Sequence, residues 1–379
     1  MYRLLLCLVV ALAATSQTEP ALRSFDRVVL LEQKAETSAS VSLGDIDGDG
    51  DLDIVLAKGR HWPLDNLVFR NDGKGHFTRE VLGSAPDRTY SAALADLNGD
   101  GSLDIVVSND NPDSKRVYLN DGKGHFRDGG TFGDPKWETR YITLADVNGD
   151  KRPDILVANR QSGREGNPSF VCLNNGKGAF PACTPLATES ATIIVAADLD
   201  GDGFIDLFIP HRDGGQTRIF WNDGTGTFKE KWIPVGPAQS NVRAAAAADL
   251  NGDGLIDLVV GDEKKKTVYV YYNRGKRGFA DPVALTLKPA VPYSIAIGDL
   301  NRDGKPDIVV GNSEAPGSIF FHRGIAGGIA SFKEIAWNDG LGAVYGVAIG
   351  DLDGDGWPDI AAARSDAPNG IWFSGPVRK

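Results

Sequence analysis

Short apolar runs recur along this chain, and turn-forming residues cut each one off before it reaches helical length. Residues 91–126 show the unit: apolar stretches at 91–95, 105–107 and 116–119, and a fourth opening at Phe126. Runs this short, rich in β-branched and aromatic residues and bounded by Gly, Asn and Asp, predict strands. Between the third and fourth lies Asn120-Asp121-Gly122-Lys123-Gly124, a turn that returns at Asn71, Asn174, Asn222 and Asn273. Asn-Asp-Gly supplies the positive-φ residues of a tight hairpin. His76 and His125 directly follow two of these turns, and their identical placement predicts exposed surface rather than a ligand set. The first run of each unit is rich in Ala, Gly and Ser, as at 244–248, which suits strands crowded around a common axis.

An acidic loop joins the first run to the second in every unit. Its seven copies open at Asp45, Asp96, Asp146, Asp198, Asp249, Asp299 and Asp351, at spacings of 50 to 52 residues. The third position holds Asp47, Asn98, Asn148, Asp200, Asn251, Asn301 and Asp353. The fifth holds Asp49, Asp100, Asp150, Asp202, Asp253, Asp303 and Asp355, and the ninth Asp53, Asp104, Asp154, Asp206, Asp257, Asp307 and Asp359. Oxygen donors at positions one, three and five suit a hard cation, since calcium takes six to eight oxygens. Glycine at the sixth position, as at Gly50, lets the chain turn sharply around an ion. The seventh side chain varies, which suits a backbone carbonyl ligand. An EF-hand is excluded: the twelfth-position Glu is missing and the flanks are strands.

A metal-free Asp/Asn/Gly turn accounts for any single copy. Seven copies with the same oxygen positions favour metal, because the carboxylates of each loop repel one another and no Lys or Arg recurs in register to offset them. Up to seven Ca²⁺ ions are expected. A site ligated wholly by protein leaves no open position for substrate, so their role is structural.

The loops and their spacing resemble the FG-GAP/VCBS repeats of the integrin α-subunit propeller and of many secreted bacterial proteins. The resemblance covers nearly all of the chain after residue 24. Phe-Gly and Gly-Ala-Pro signatures are largely absent, which brings it closer to the VCBS variety. It implies an all-β, seven-bladed β-propeller of four-stranded antiparallel blades, and four strand-like runs at this period point the same way. Residues 17–379 form the expected propeller. The seventh unit lacks a fourth run, whereas residues 24–30 resemble residues 75–82. The N-terminal strand is therefore expected to complete the last blade and close the ring, hiding two open edges. Lys151 replaces the sixth-position glycine of the third loop and Arg302 takes the fourth position of the sixth, so weaker binding is expected there.

Residues 1–16 read as a signal peptide, with Arg3 ahead of an apolar run that is too short to span a bilayer. The product is expected to be secreted, extracellular or periplasmic, without a membrane span, and monomeric. Cys172 and Cys183 flank the turn at Asn174 at nearly equal distances, so they could face each other across two strands. An oxidising compartment favours a disulfide over two free thiols. Formal charge is −11, and losing Arg3 with the signal makes it −12. Seven Ca²⁺ would bring it to about +2, so the acidity is a metal signature. No basic stripe with interleaved aromatics supports nucleic-acid binding.

Function is sought on the rim opposite the acidic loops. Where the second strand ends stand Lys58, Asn109, Asn159, His211, Asp262, Asn312 and Arg364; where the first strand opens stand Tyr90, Arg140, Arg243, Tyr293 and Tyr345. Both sets are expected near the mouth of an axial channel, with Arg60, His61, Trp62, Trp137, Tyr141, Arg160, Arg212 and Glu314 nearby. Polar groups beside Tyr and Trp suit glycan recognition, and the same set suits a protein loop with an acidic tip. An ordinary solvated rim is the plainer alternative. A carbohydrate lyase or dehydratase is a second reading, with Arg stabilising an enolate and Tyr or His moving the proton. No Ser-His-Asp order, HExxH or phosphate loop supports other enzyme classes. A binding or adhesion module for glycan or extracellular protein is the preferred reading, and a structural domain of a surface assembly is the third.

Overall fold

Four consecutive antiparallel strands, then a return to the start of the pattern, is the whole architecture. The computed structural model describes residues 22–160, 167–228, 232–285 and 289–377. The signal-peptide reading of residues 1–16 lies outside them. The second repeat shows the elements: Thr89–Ala95, Asp104–Asn109, Lys115–Asn120 and Phe126–Phe132, paired in sequence order. Among the described residues there are 28 strands and no helix, in five separate four-stranded sheets and one of eight. The larger sheet is two four-stranded groups joined by a single pairing, Ser313 opposite Ala343. Its outermost strand is Arg23–Leu30, antiparallel to Gly370–Pro376.

The second strand of each repeat is buried along its length, from Asp53–Lys58 to Asp359–Ser365. It therefore reads as a continuous apolar run rather than an alternating one. Cores form between neighbouring sheets. Ile105, Val107 and Tyr118 meet Val55, Val68 and Leu82; Leu352, Ile371 and Phe373 meet Val41, Leu56 and Phe69. Truncating such a fully buried residue, Ile54→Ala for example, would cost about 2–5 kcal/mol.

The hairpin-turn asparagines are buried and tie one repeat to the preceding one. Asn120 Nδ2 donates to the Ile46 carbonyl, Asn174 to Leu97, Asn222 to Val147 and Asn273 to Leu199. Asn71 makes the same bond to Leu352. In the sixth repeat His322 takes the asparagine's place, its Nε2 3.1 Å from the Leu250 carbonyl. In the last repeat Ser374 stands there, and its hydroxyl accepts from Arg23 Nε at 2.9 Å. His76 and His125 are exposed and pair only with Asp72 and Asp121 of their own turns. Cys172 and Cys183 lie directly opposite each other on adjacent strands and their sulfurs are bonded.

Candidate functional site

The acidic loops share one internal frame. The first-position carboxylate accepts loop N–H groups: in the first copy Gly48 N and Gly50 N donate to Asp45. Lys151, at φ 65°, keeps the equivalent bond to Asp146 at 2.7 Å, so the third loop keeps its shape without glycine. The ninth-position carboxylate is fully buried in all seven copies. One of its oxygens accepts from the second loop residue, the other from the end of the third strand, as Asp53 does from Ile46 N and Asn71 N. Burial pushes these carboxyls up against those bonds: Asp53, Asp154, Asp206 and Asp257 to about 6, Asp307 and Asp359 to about 7, and Asp104 in the same direction.

Three loops bring carboxylate oxygens within 4.8 Å of one another: Asp45, Asp47 and Asp53; Asp198, Asp200 and Asp206; Asp351, Asp353 and Asp355. Asp47 Oδ1 is buried without a hydrogen-bond partner. An orphaned anionic oxygen amid like charges fits a cation, and the all-oxygen donor set fits calcium. An ion there would neutralise the cluster.

Cations other than metal also reach these loops, although none recurs in register. Arg70 Nη1 lies 3.8 Å from both Asp47 and Asp53, Arg277 Nε 2.7 Å from Asp200, and Arg27 pairs with Asp353. These are the three loops with Asp rather than Asn at the third position. Arg70, Arg277 and Arg27 sit at unrelated places in their repeats, so a search in register misses them.

The opposite rim carries a cavity of about 130 Å³. Its collar is built by a recurring irregularity. Between the first two strands of a repeat the register slips by one residue, and the extra residue is Ala39, Tyr90, Arg140, Arg243, Tyr293 or Tyr345. A β-bulge re-aims its side chain, and all six of these residues line the cavity. Arg60, His61, Tyr141, Arg160 and Arg212 line it too, above an apolar throat that includes Val41, Ile193, Ile295 and Val347.

Aromatic faces hold the guanidinium groups. Arg243 lies 3.5 Å from the Tyr293 ring centroid, Arg60 3.8 Å from Tyr345 and Arg140 4.4 Å from Tyr90. The Tyr293 and Tyr345 rings meet edge to face at 4.9 Å. Tyr90 Oη lies 2.8 Å from His61 Nε2. Burial, then Arg140 and Arg60, holds the His61 imidazole below its ordinary value, and burial raises the Tyr345 phenol.

The residues at the ends of the second strands do not share this collar. Lys58 is buried and pairs with Glu32 and Glu36. Asn109, Asn159 and Asn312 donate to the Ser114, Pro168 and Pro316 carbonyls, closing their own loops. Arg364 donates from Nε to Pro368 and pairs with Asp339. Asp262 accepts two N–H groups of the turn that follows it. His211 is buried between the Glu189 N–H and the Ile209 carbonyl; burial, then Arg218, pushes it down to about 4. A polar side chain before a tight turn satisfies that turn first. Trp137 stacks on Phe170 at 3.9 Å, Glu314 bonds through its backbone N–H to Gly342, and Trp62 is exposed.

Sheets of this kind in tandem, with an acidic loop in each repeat, define a repeat β-propeller. The chain belongs to the FG-GAP-like repeat family, whose pattern matches residues 45–107, 96–157, 146–209, 198–260, 249–310 and 299–362. Cartilage acidic protein 1 of Xenopus tropicalis is 24% identical over 225 residues, 56% of this chain but only 27% of that protein's length. Among solved structures, a chain of the crystal structure of BBS1N in complex with ARL6DN aligns with a TM-score of 0.61 at 12% identity, over 95% of this chain and 98% of that one. A lectin of Agrocybe aegerita, described as recognising non-reducing terminal N-acetylglucosamine, aligns at 0.57 with 22% identity, over 81% and 82%. No helix among the described residues is long and apolar enough to cross a membrane.

Proposed function

We propose that this chain is a secreted, calcium-stabilised, seven-bladed propeller that binds glycan at the rim opposite its acidic loops. The observation that carries the binding role is the collar: equivalent bulge positions of different repeats converge on one cavity with arginine and tyrosine side chains. A lectin with the same fold supports glycan as a ligand. Ring closure by the N-terminal strand is supported by its pairing with Gly370–Pro376, the core shared by residues 352–373 and 41–69, and the Asn71 bond to Leu352. Structural calcium is supported by the three carboxylate clusters. Export is supported by the signal-like leader and the Cys172–Cys183 bridge, a bond of oxidising compartments.

A second reading, a lyase or dehydratase at the same mouth, draws on the Tyr90–His61 contact beside Arg60 and Arg140. A glycan array with the wild type and with Tyr293→Ala and Arg243→Ala variants tests the binding reading; binding that survives both changes counts against this site. Ultraviolet-absorbing unsaturated products from uronate polymers would favour the lyase.

A further inference from the structure

The collar gathers guanidinium groups and keeps their counter-charges out of the cavity wall. Guanidinium groups of Arg60, Arg140, Arg160, Arg212 and Arg243 meet there, and no carboxylate among the described residues lines the wall. The acids that accompany them stand behind it: Asp110 and Glu138 on Arg140, Asp213 on Arg160, and Glu263 shared by Arg212 and Arg243. Arg60 has no ion pair among the described residues; its guanidinium rests on Tyr345 and lies 3.4 Å from the Ser365 hydroxyl. A tyrosine face orients a guanidinium but leaves its charge in place. Two donors remain over: Nε of Arg60 and Nε of Arg140 are buried with no partner. A buried donor without an acceptor is costly unless a ligand supplies one. At about 130 Å³ the cavity admits one small group rather than a chain.

We infer that this pocket receives the carboxylate of an acidic sugar residue, an inference that rests on the glycan-binding reading and narrows it. The planar forks of the arginines match a carboxylate two bonds at a time. The ring of acids behind the collar decides between sugar and protein. A segment rich in Asp and Glu would be repelled by Asp110, Asp213 and Glu263 wherever its further carboxylates fell. A sugar residue carries one carboxylate and several hydroxyls, and the hydroxyls can bond to the Tyr90–His61 pair in the cavity wall. Exposed Trp62, next in the chain after Arg60 and His61, offers a flat apolar face beside the mouth for a neighbouring sugar.

Calorimetric titration of the calcium-loaded full chain tests this. The probes are oligomers of galacturonate, glucuronate and mannuronate, and sialyllactose, each beside its carboxyl-methylated counterpart. At least one acid form is expected to bind, with its ester about tenfold weaker or more and with affinity falling as salt is raised. Arg60→Gln, which breaks no ion pair among the described residues, should lower that affinity by about tenfold with the thermal midpoint unmoved; Arg60→Lys, which keeps the charge but not the fork, should fall between. Equal binding of acid and ester would overturn the carboxylate and leave the glycan reading standing. Binding of none of the probes would overturn both, and tighter binding of polyglutamate would exclude a sugar as the ligand.

Discussion

On the loop rim the same nine positions do the same work in every repeat, down to the buried ninth aspartate with its two N–H donors. On the pocket rim one structurally equivalent position carries Ala39, Tyr90, Arg140, Arg243, Tyr293 or Tyr345. The backbone device is shared and the chemistry is not. Uniform loops serve what every repeat needs, a rigid hairpin. Divergent bulges serve what only the whole assembly can make, a single asymmetric pocket. Selection for stability acts on each repeat alike; a ligand meets all of them at once and asks something different of each.

The strongest challenge to this contrast is removal of metal. A loop filled at a hundredfold excess over its dissociation constant adds about 2.7 kcal/mol, so excess chelator should lower the thermal midpoint by at least about 10 °C. A single Asp100→Ala should cost far less, because the other loops remain. An unmoved midpoint in calorimetry would take calcium out of the account.

The pH dependence of the metal-free protein comes next. Burial pushes the ninth-position carboxyls up, Asp53 to about 6, Asp307 and Asp359 to about 7, and Asp104 in the same direction. Between about pH 4 and 7 the folded state therefore holds more protons than the unfolded one, and stability falls as pH rises through that window. The loss is about 1.4 kcal/mol per carboxylate for each pH unit of that window. Urea midpoints of the chelated protein should be higher at pH 5 than at pH 8. Calcium should reverse that order, because it needs the carboxylates ionised; the same order with and without calcium would break the link between burial and metal.

Pocket variants should do the opposite of loop variants. Arg60→Gln is expected to leave stability within about 0.5 kcal/mol of wild type and to cut ligand affinity about tenfold, or about 1.4 kcal/mol. A drop of several kcal/mol in unfolding free energy would make the pocket rim structural as well and dissolve the contrast. The smallest effect sharpens it within the loops themselves. Arg70→Gln should raise calcium affinity at the first loop a few-fold, about 0.5–1 kcal/mol, as read by terbium luminescence, and should leave the second loop, with which Arg70 makes no ion pair, unchanged.

Much of this was legible in the sequence because the loops report themselves through a period and an invariant spacing. The strands, hairpin turns and facing cysteines follow from local pattern. The collar was only half legible. Tyr90, Arg140, Arg243, Tyr293 and Tyr345 could be found by alignment to the loops, but the bulge that turns them inward leaves no residue signature, since any side chain can occupy it. Asn109 and Asn159 looked like ligand-facing strand ends and are loop locks instead. A signal for that was present: Thr89 and Thr139 sit twenty residues before them, and each threonine hydroxyl donates to its asparagine. The arginines at Asp47, Asp200 and Asp353 were invisible because proximity through folding, not spacing, puts them there.

The turn asparagines have one further consequence. Six repeats are each pinned beside the acidic loop of another by a side chain reaching the carbonyl of its second residue, as Asn71 reaches Leu352 and His322 reaches Leu250. At the junction of the sixth and seventh repeats Ser374 does not make that bond among the described residues, and the sheets are instead merged at their far ends through Ser313 and Ala343. Loss of calcium should then loosen the molecule unevenly: six joints feel it, and one does not. Amide exchange would show residues 307–313 and 343–350 keeping protection together, a stiff double panel in a frame gone slack.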